Sequence, residues 1–210
     1  MFGLEVIFSG LSNVLGVVAK LMPTILKIVG TQLEKLAGAF EAFFKELGLI
    51  EQEEKVEELG DKVLQAKNDE LAPIKIEDFD SHEKYLAAVK KYELDAEKSA
   101  LTTRDEKLHE ALKILLGAAI AKYGQSMGEF GQIVVNNPDF YSKAGRLEEF
   151  ASLARTDEKT FSEIVNYIEN KNMSTEKNDA AFDKFVEMEK KVNPAATEPE
   201  IWTAVSEMKK

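Results

Sequence analysis

The sequence contains no cysteine among its 210 residues, and it has only two histidines and one tryptophan. The missing cysteine excludes a disulfide framework, a thiolate metal site and a cysteine nucleophile. Histidine, the most frequent general base and metal ligand, occurs only at His82 and His109. We therefore expect neither a cofactor nor a bound metal.

A basic surface and a secretory leader are lacking as well. The formal net charge is −11, whereas a nucleic-acid-binding protein presents a basic stripe, so nucleic acid is not expected as a partner. The opening residues, MFGLEVIFSG, have no basic region, and no small-residue cleavage site follows them. We expect a cytoplasmic protein, with signal-peptide-independent export or membrane association as the alternatives. The cysteine-free composition, rich in lysine and glutamate, suggests a bacterial origin.

What is present is a folded, mostly acidic chain with 44% hydrophobic and 31% charged residues. Residues 1–50 hold four acids and four bases, and they are strongly apolar. Residues 51–100 hold 15 acids and 8 bases, and residues 101–210 hold 19 and 15. This uneven charge, with a proline-containing linker near Pro73, predicts three parts. They are an apolar helical segment at 1–50, an acidic helix and linker at 51–80, and an acidic helical bundle domain at 81–210.

Apolar residues in the first fifty recur alternately three and four positions apart, which is coiled-coil-like helical spacing. The step from Ile28 to Leu33 is one residue too long. The segment is therefore either one helix with a skip residue or two helices that fold back near Gly30. Six of the 12 glycines lie in residues 1–48. Because glycine weakens an isolated helix, this predicts close packing or a conformational change there.

Helix-start signals recur along the rest of the chain. Asp80 precedes Glu83 and Thr103 precedes Glu106 with the spacing of a capping box. The only short run that could form a strand is QIVVNN at 132–137. The predicted fold class is all-α, with an N-terminal amphipathic helical segment or hairpin followed by a compact multi-helix bundle.

One motif suggests a hydrolase. Residues 124–128 spell Gly-x-Ser-x-Gly around Ser126, the pattern of a nucleophile elbow. That turn follows a strand, and its histidine lies after the serine in the chain. Here the preceding residues have helical spacing and both histidines lie upstream. We therefore interpret Gly124 as a left-handed helix C-cap and Ser126 as a residue of the next turn.

A second motif suggests a metal. Glu106-x-x-His109 has the spacing used by di-iron helical bundles, but those need a second copy and two further glutamates. The residue three positions before His82 is Phe79, so no second copy exists. We expect Glu106 to cap a helix and His109 to be half-exposed. The sequence thus predicts a protein that is not an enzyme.

The first fifty residues admit three interpretations. Their apolar face can belong to the chain's own core, bind a protein partner or a second copy, or contact a membrane. The longest uncharged stretch, Val6–Ala19, is shorter than the roughly 20 residues that a membrane span requires.

We expect a non-enzymatic helical interaction or assembly protein that uses residues 1–50 to bind a partner or to self-associate. The alternative is a membrane-active, toxin-like protein whose residues 6–33 insert into lipid or lie on it. The predicted contact residues form what we call the N-terminal stripe: Val14, Val18, Leu21, Ile25, Leu33, Leu36, Phe40 and Phe43.

Overall fold

Helices form the regular structure in a computed structural model that describes the backbone of residues 3–209 and the side chains of residues 14–209. The all-α prediction is confirmed, since the described residues contain helices and no strand. Residues 132–136 of the one candidate strand belong to a helix. The α-helices of the described part are α1 Gly3–Ile25, α2 Gly30–Glu46, α3 Val56–Lys67, α4 His82–Lys90, α5 Ala96–Ser99, α6 Arg104–Tyr123, α7 Gln125–Asn136, α8 Pro138–Tyr141, α9 Arg146–Thr156, α10 Glu158–Ile168, α11 Thr175–Val192 and α12 Glu198–Glu207.

Two predicted helix starts have different outcomes. At α6 the capping box is present: Glu106 N donates to the Thr103 hydroxyl, and Thr103 N donates to the Glu106 carboxylate at 2.8 Å. At α4 the prediction that Asp80 is the cap is wrong by one residue. Ser81 caps the helix by accepting from Lys84 N at 3.2 Å, which leaves Asp80 to pair with the Lys84 ammonium at 2.6 Å.

The N-terminal segment is two helices, so the interpretation as one helix with a skip residue is wrong. Pro23 lies inside the last turn of α1, and α2 begins at Gly30, whose φ of +59° favours glycine. Two polar contacts hold the intervening turn against α6. Gly30 N donates to Asp105 at 3.1 Å, and His109 Nε2 lies 3.0 Å from the Ile28 carbonyl oxygen.

Helices α1 and α2 pack on other helices of the fold. α1 lies on α6 and α7, whereas α2 contacts α6, α8 and α9. Side chains from all three predicted parts of the chain join one hydrophobic cluster. Residues 1–50 therefore meet the rest of the chain through a shared core.

A glycine of α7 allows α1 to approach closely. A Cβ atom on Gly128 would lie 2.5 Å from Val17 Cγ1, well below van der Waals contact, so a side chain here would fill space that α1 occupies. The close packing predicted at the N-terminal glycines is not found at those that the structure describes: Gly16, Gly30, Gly38 and Gly48 have nothing within 4 Å of their Cβ positions.

An even closer approach joins α3 to α6. A Cβ atom on Gly60 would lie 1.7 Å from the carbonyl oxygen of Lys107. Next to this crossing, the Lys107 ammonium pairs with buried Asp61 at 2.9 Å and donates to the Ser99 hydroxyl at 2.9 Å. Backbone contact and a buried polar network therefore fix the same pair of helices.

A buried ion pair connects α9 to α11. Arg146 Nε and Nη2 donate to the two carboxylate oxygens of Glu189 at 2.6 and 2.5 Å. Two further hydrogen bonds involve this pair: Arg146 Nη1 donates to the Phe140 carbonyl, and Asn193 donates to Glu189 at 2.9 Å. Such bidentate geometry orients both helices as well as neutralising the buried charges.

Candidate interaction surface

All eight residues of the N-terminal stripe lie in the core of the chain. The most exposed of them is Val14 at 8%, while Leu33 is completely buried. Phe43 contacts Phe130 of α7, with ring centroids 5.9 Å apart, so the stripe is continuous with the aromatic core. In this conformation a partner could reach these side chains only if α1 or α2 left its place. Their role as a partner surface stays a prediction.

A different face of α1 is open to solvent. Leu15 is 37% exposed, Leu26 is 53% exposed and Val29 is 57% exposed. Leu15 and Ala19 lie one turn apart on the same side of α1, and both are exposed. Leu26 and Val29 lie after the end of α1, in the turn that leads to α2. We call Leu15 and Ala19 of α1, together with Leu26 and Val29 of this turn, the outer α1 face.

The charged residues within this part of the chain are lysines. Lys20 and Lys27 are exposed, and neither forms an ion pair with a described residue. The sequence has no acid between residues 6 and 33, although the chain as a whole is acidic. Carboxylates of other elements lie nearby: Glu77 and Glu110 line a pocket together with Leu15, and Asp105 accepts a hydrogen bond from Gly30 N.

Helix α1 also begins before the first described side chain. Its backbone begins at Gly3, about 16 Å of helix before Val14. The sequence there is GLEVIFSGLSN, and the side chains of residues 6–13 of the predicted membrane segment lie outside the described part of the structure. Within the described residues, no helix combines the length and apolarity needed to cross a bilayer.

The serine motif has a helical setting. Gly124 joins α6 directly to α7, so a helix and not a strand leads into Ser126. Gly124 has a positive φ of +80°, as predicted. Its ψ of −174° differs from the ψ of a left-handed helix cap, because the chain turns here directly into α7. The Ser126 hydroxyl lies 2.9 Å from that of Ser162 on α10. This contact joins two helices and gives the serine a structural partner.

Replacing Ser126 by alanine should lower the free energy of unfolding by about 1 kcal/mol or less, the usual net contribution of one neutral hydrogen bond. Ser162→Ala should lower the free energy of unfolding by a similar amount. The double variant should be only slightly less stable than either single variant, because both replacements remove the same hydrogen bond. Urea unfolding of the three variants measures this. A loss of several kcal/mol for Ser126→Ala alone would contradict the assignment.

The two residues of the Glu106-x-x-His109 motif have different structural roles. Glu106 belongs to the capping box of α6, as predicted. The prediction that His109 is half-exposed is wrong, because its ring is buried and bonds to the Ile28 carbonyl. Among the described residues, no group of three or more His, Cys, Asp or Glu side chains is placed to hold a metal ion.

Comparison with protein-family models, curated proteins and solved structures finds no match to this chain. The features that sequence reasoning missed are the outer α1 face and the buried position of His82. Neither has a local sequence signal, because the exposure of Leu26 and Val29 depends on where α1 ends and the burial of His82 depends on Gly117 of α6.

Proposed function

We propose that the protein is a non-enzymatic helical assembly protein that self-associates through the outer α1 face. The observation that carries the proposal is the exposure of Leu15 on α1 and of Leu26 and Val29 in the turn that follows it, beside residues that are already in the core. Neighbouring large apolar side chains that are exposed often mark an interaction surface. A second copy of this segment supplies apolar side chains of the same kind.

The expected association is weak. α1 has 23 residues and is therefore about 34 Å long and 10–12 Å wide. One face of it offers less than the ~800 Å² per partner of a standard interface. We expect a dimer with a dissociation constant on the order of 10–100 µM, which corresponds to about 5.5–7 kcal/mol of binding free energy.

Membrane contact through residues 6–33 is the second candidate. Exposed Lys20 and Lys27 on an apolar helix without acids favour it, because interfacial helices pair an apolar face with lysines that reach lipid headgroups. The net charge of −11 opposes it, since an acidic chain is repelled by an anionic bilayer.

Replacing Leu26 by glutamate should abolish the dimer, because two carboxylates would then be buried in the interface. The measurement is sedimentation velocity from about 1 to 300 µM protein, a range that brackets the expected dissociation constant. Trp202→Glu is the matched control: Trp202 on α12 is 51% exposed, close to the 53% of Leu26, and should leave dimerisation unchanged.

A protein that is monomeric at every concentration would contradict self-association. The assignment to this surface would be wrong if the Leu26→Glu variant still dimerised while the Trp202→Glu variant did not. Flotation with neutral phosphatidylcholine vesicles separates the second candidate. Binding to vesicles that is lost in Leu26→Glu, by a protein that is monomeric without lipid, would assign the outer α1 face to the membrane.

A further inference from the structure

A cavity of about 390 Å³ opens where the start of α4 meets the C-terminal half of α6 and the turn after α2. Its volume lies in the range of small-molecule sites, roughly 300–1,000 Å³. Three alanines create the space, Ala87 on α4 and Ala118 and Ala121 on α6. With Leu49 and Leu86 they give the cavity an apolar wall large enough for a short hydrocarbon chain.

The polar end of the cavity is formed by His82. Its side chain is 97% buried and packs on Gly117, where a Cβ atom would lie 2.7 Å from Nε2. Nδ1 is shielded from solvent without a hydrogen-bond partner, and no hydrogen bond joins Nε2 to a described residue. Burial lowers the pKa of the imidazole, which keeps it neutral at neutral pH. A buried polar ring without partners is costly unless a ligand supplies one.

The first turn of α4 lies at the same end of the cavity. His82 and Glu83 are the first two residues of α4, whose backbone N–H groups have no acceptor within the helix. Such N–H groups and the helix dipole attract an anion. Lys122 and Lys90 also line the cavity, and both have partners: the Lys122 ammonium donates to the Leu47 carbonyl oxygen at 3.4 Å, and Lys90 is paired with Glu54 at 2.7 Å. Glu83 is the one acidic residue among the cavity's lining residues.

We propose that this cavity binds a small amphipathic carboxylate, such as a short fatty acid. The carboxylate accepts hydrogen bonds from His82 Nε2–H, the ring nitrogen that is not shielded from solvent, and from the first backbone N–H groups of α4. Its apolar chain lies over Ala87, Ala118 and Ala121. The buried imidazole thereby gains the partner that the protein does not provide.

Octanoate is the first probe, titrated into the full chain by isothermal calorimetry. We expect saturable binding of one molecule with a dissociation constant below about 1 mM, as ligand efficiencies for small ligands allow. Octanol, which has the same chain without the charge, should bind at least about tenfold more weakly. Amide resonances of His82, Glu83 and Ala121 should shift together during the titration.

Ala121→Leu should weaken octanoate binding at least about tenfold, because the added carbons occupy the cavity. Because Ala121 is exposed, its replacement should leave the hydrophobic core intact. Ala180→Leu, at an exposed position of α11, is the matched control and should not change octanoate binding. His82→Phe should also lose the binding while retaining the melting temperature, since it removes an unpartnered polar group.

Three results would overturn the proposal. They are the absence of saturable binding, equal affinity for octanoate and octanol, and an Ala121→Leu variant that binds as the natural protein does. Circular dichroism of each folded variant distinguishes lost binding from lost structure.

Discussion

Replacing Gly60 by alanine should destabilise the protein by more than about 3 kcal/mol, at the upper end of overpacking effects. The new methyl group would lie 1.7 Å from the carbonyl oxygen and 2.5 Å from the carbonyl carbon of Lys107. These are backbone atoms, which cannot rotate out of the way as a side chain can. Helices α3 and α6 must therefore separate along their whole contact.

Separation would also disturb the polar network beside the crossing. Burial raises the pKa of Asp61, but hydrogen bonds from Ser99, Lys107 and Gln65 outweigh it and hold the pKa below its ordinary value. Moving α6 away would lengthen the contact between Lys107 and Asp61 and leave two buried charges less well paired. Breaking a buried pair in this way adds to the steric cost.

Urea unfolding followed by circular dichroism measures the effect of Gly60→Ala. Gly38→Ala is the matched control, because Gly38 is an exposed α2 residue with nothing within 4 Å of its Cβ position. That variant should be more stable by about 0.5–1 kcal/mol, the helix advantage of alanine over glycine. Equal changes in the two variants would show that the α3–α6 crossing is not as tight as described.

Replacing Glu189 by methionine should cost about 3–5 kcal/mol, the usual loss when one partner of a buried ion pair is removed. Arg146 would keep its charge in a site where its side chain is only 7% exposed. The Phe140 carbonyl would remain as an acceptor but cannot neutralise the guanidinium.

A double-mutant cycle makes this prediction specific. Arg146→Met with Glu189→Met should recover most of the lost stability, because no buried charge remains and the volumes are similar. Removing the exposed partner of a surface pair, as in Lys190→Met beside Glu198, should have little effect. A double variant as unstable as Glu189→Met would show that packing, not the unpaired charge, dominates at this site. Chemical denaturation of the natural protein, the two single variants, the double variant and Lys190→Met provides the comparison.

The sequence predicted the helices well because their signals are local. The spacing of Val14, Val18 and Leu21 identifies a buried face, and Thr103 with Glu106 marks the start of α6. Periodicity identifies which residues are covered, but not what covers them. The same pattern therefore allowed the stripe to belong to the core, to a partner or to lipid.

Features that depend on distant parts of the chain were not predictable. His109 is buried because the Ile28 carbonyl, 81 residues earlier, lies against it. Glycines 16 and 38 drew attention by their position in an apolar segment, yet nothing lies within 4 Å of their Cβ positions. Gly60 and Gly128, which the sequence did not distinguish, are the positions where helices meet most closely. A crossing between helices leaves no local sequence signal.

The central position of α6 has a consequence for biosynthesis. Helices α1, α2, α3 and α4 all pack against α6, which comes after them in the chain. During translation these helices leave the ribosome before the surface that covers them has been made. The nascent chain therefore carries an uncovered apolar segment until about residue 123 emerges, and chaperones bind such segments while synthesis continues. The order of the helices, rather than the stability of the finished fold, makes early synthesis the stage most exposed to aggregation.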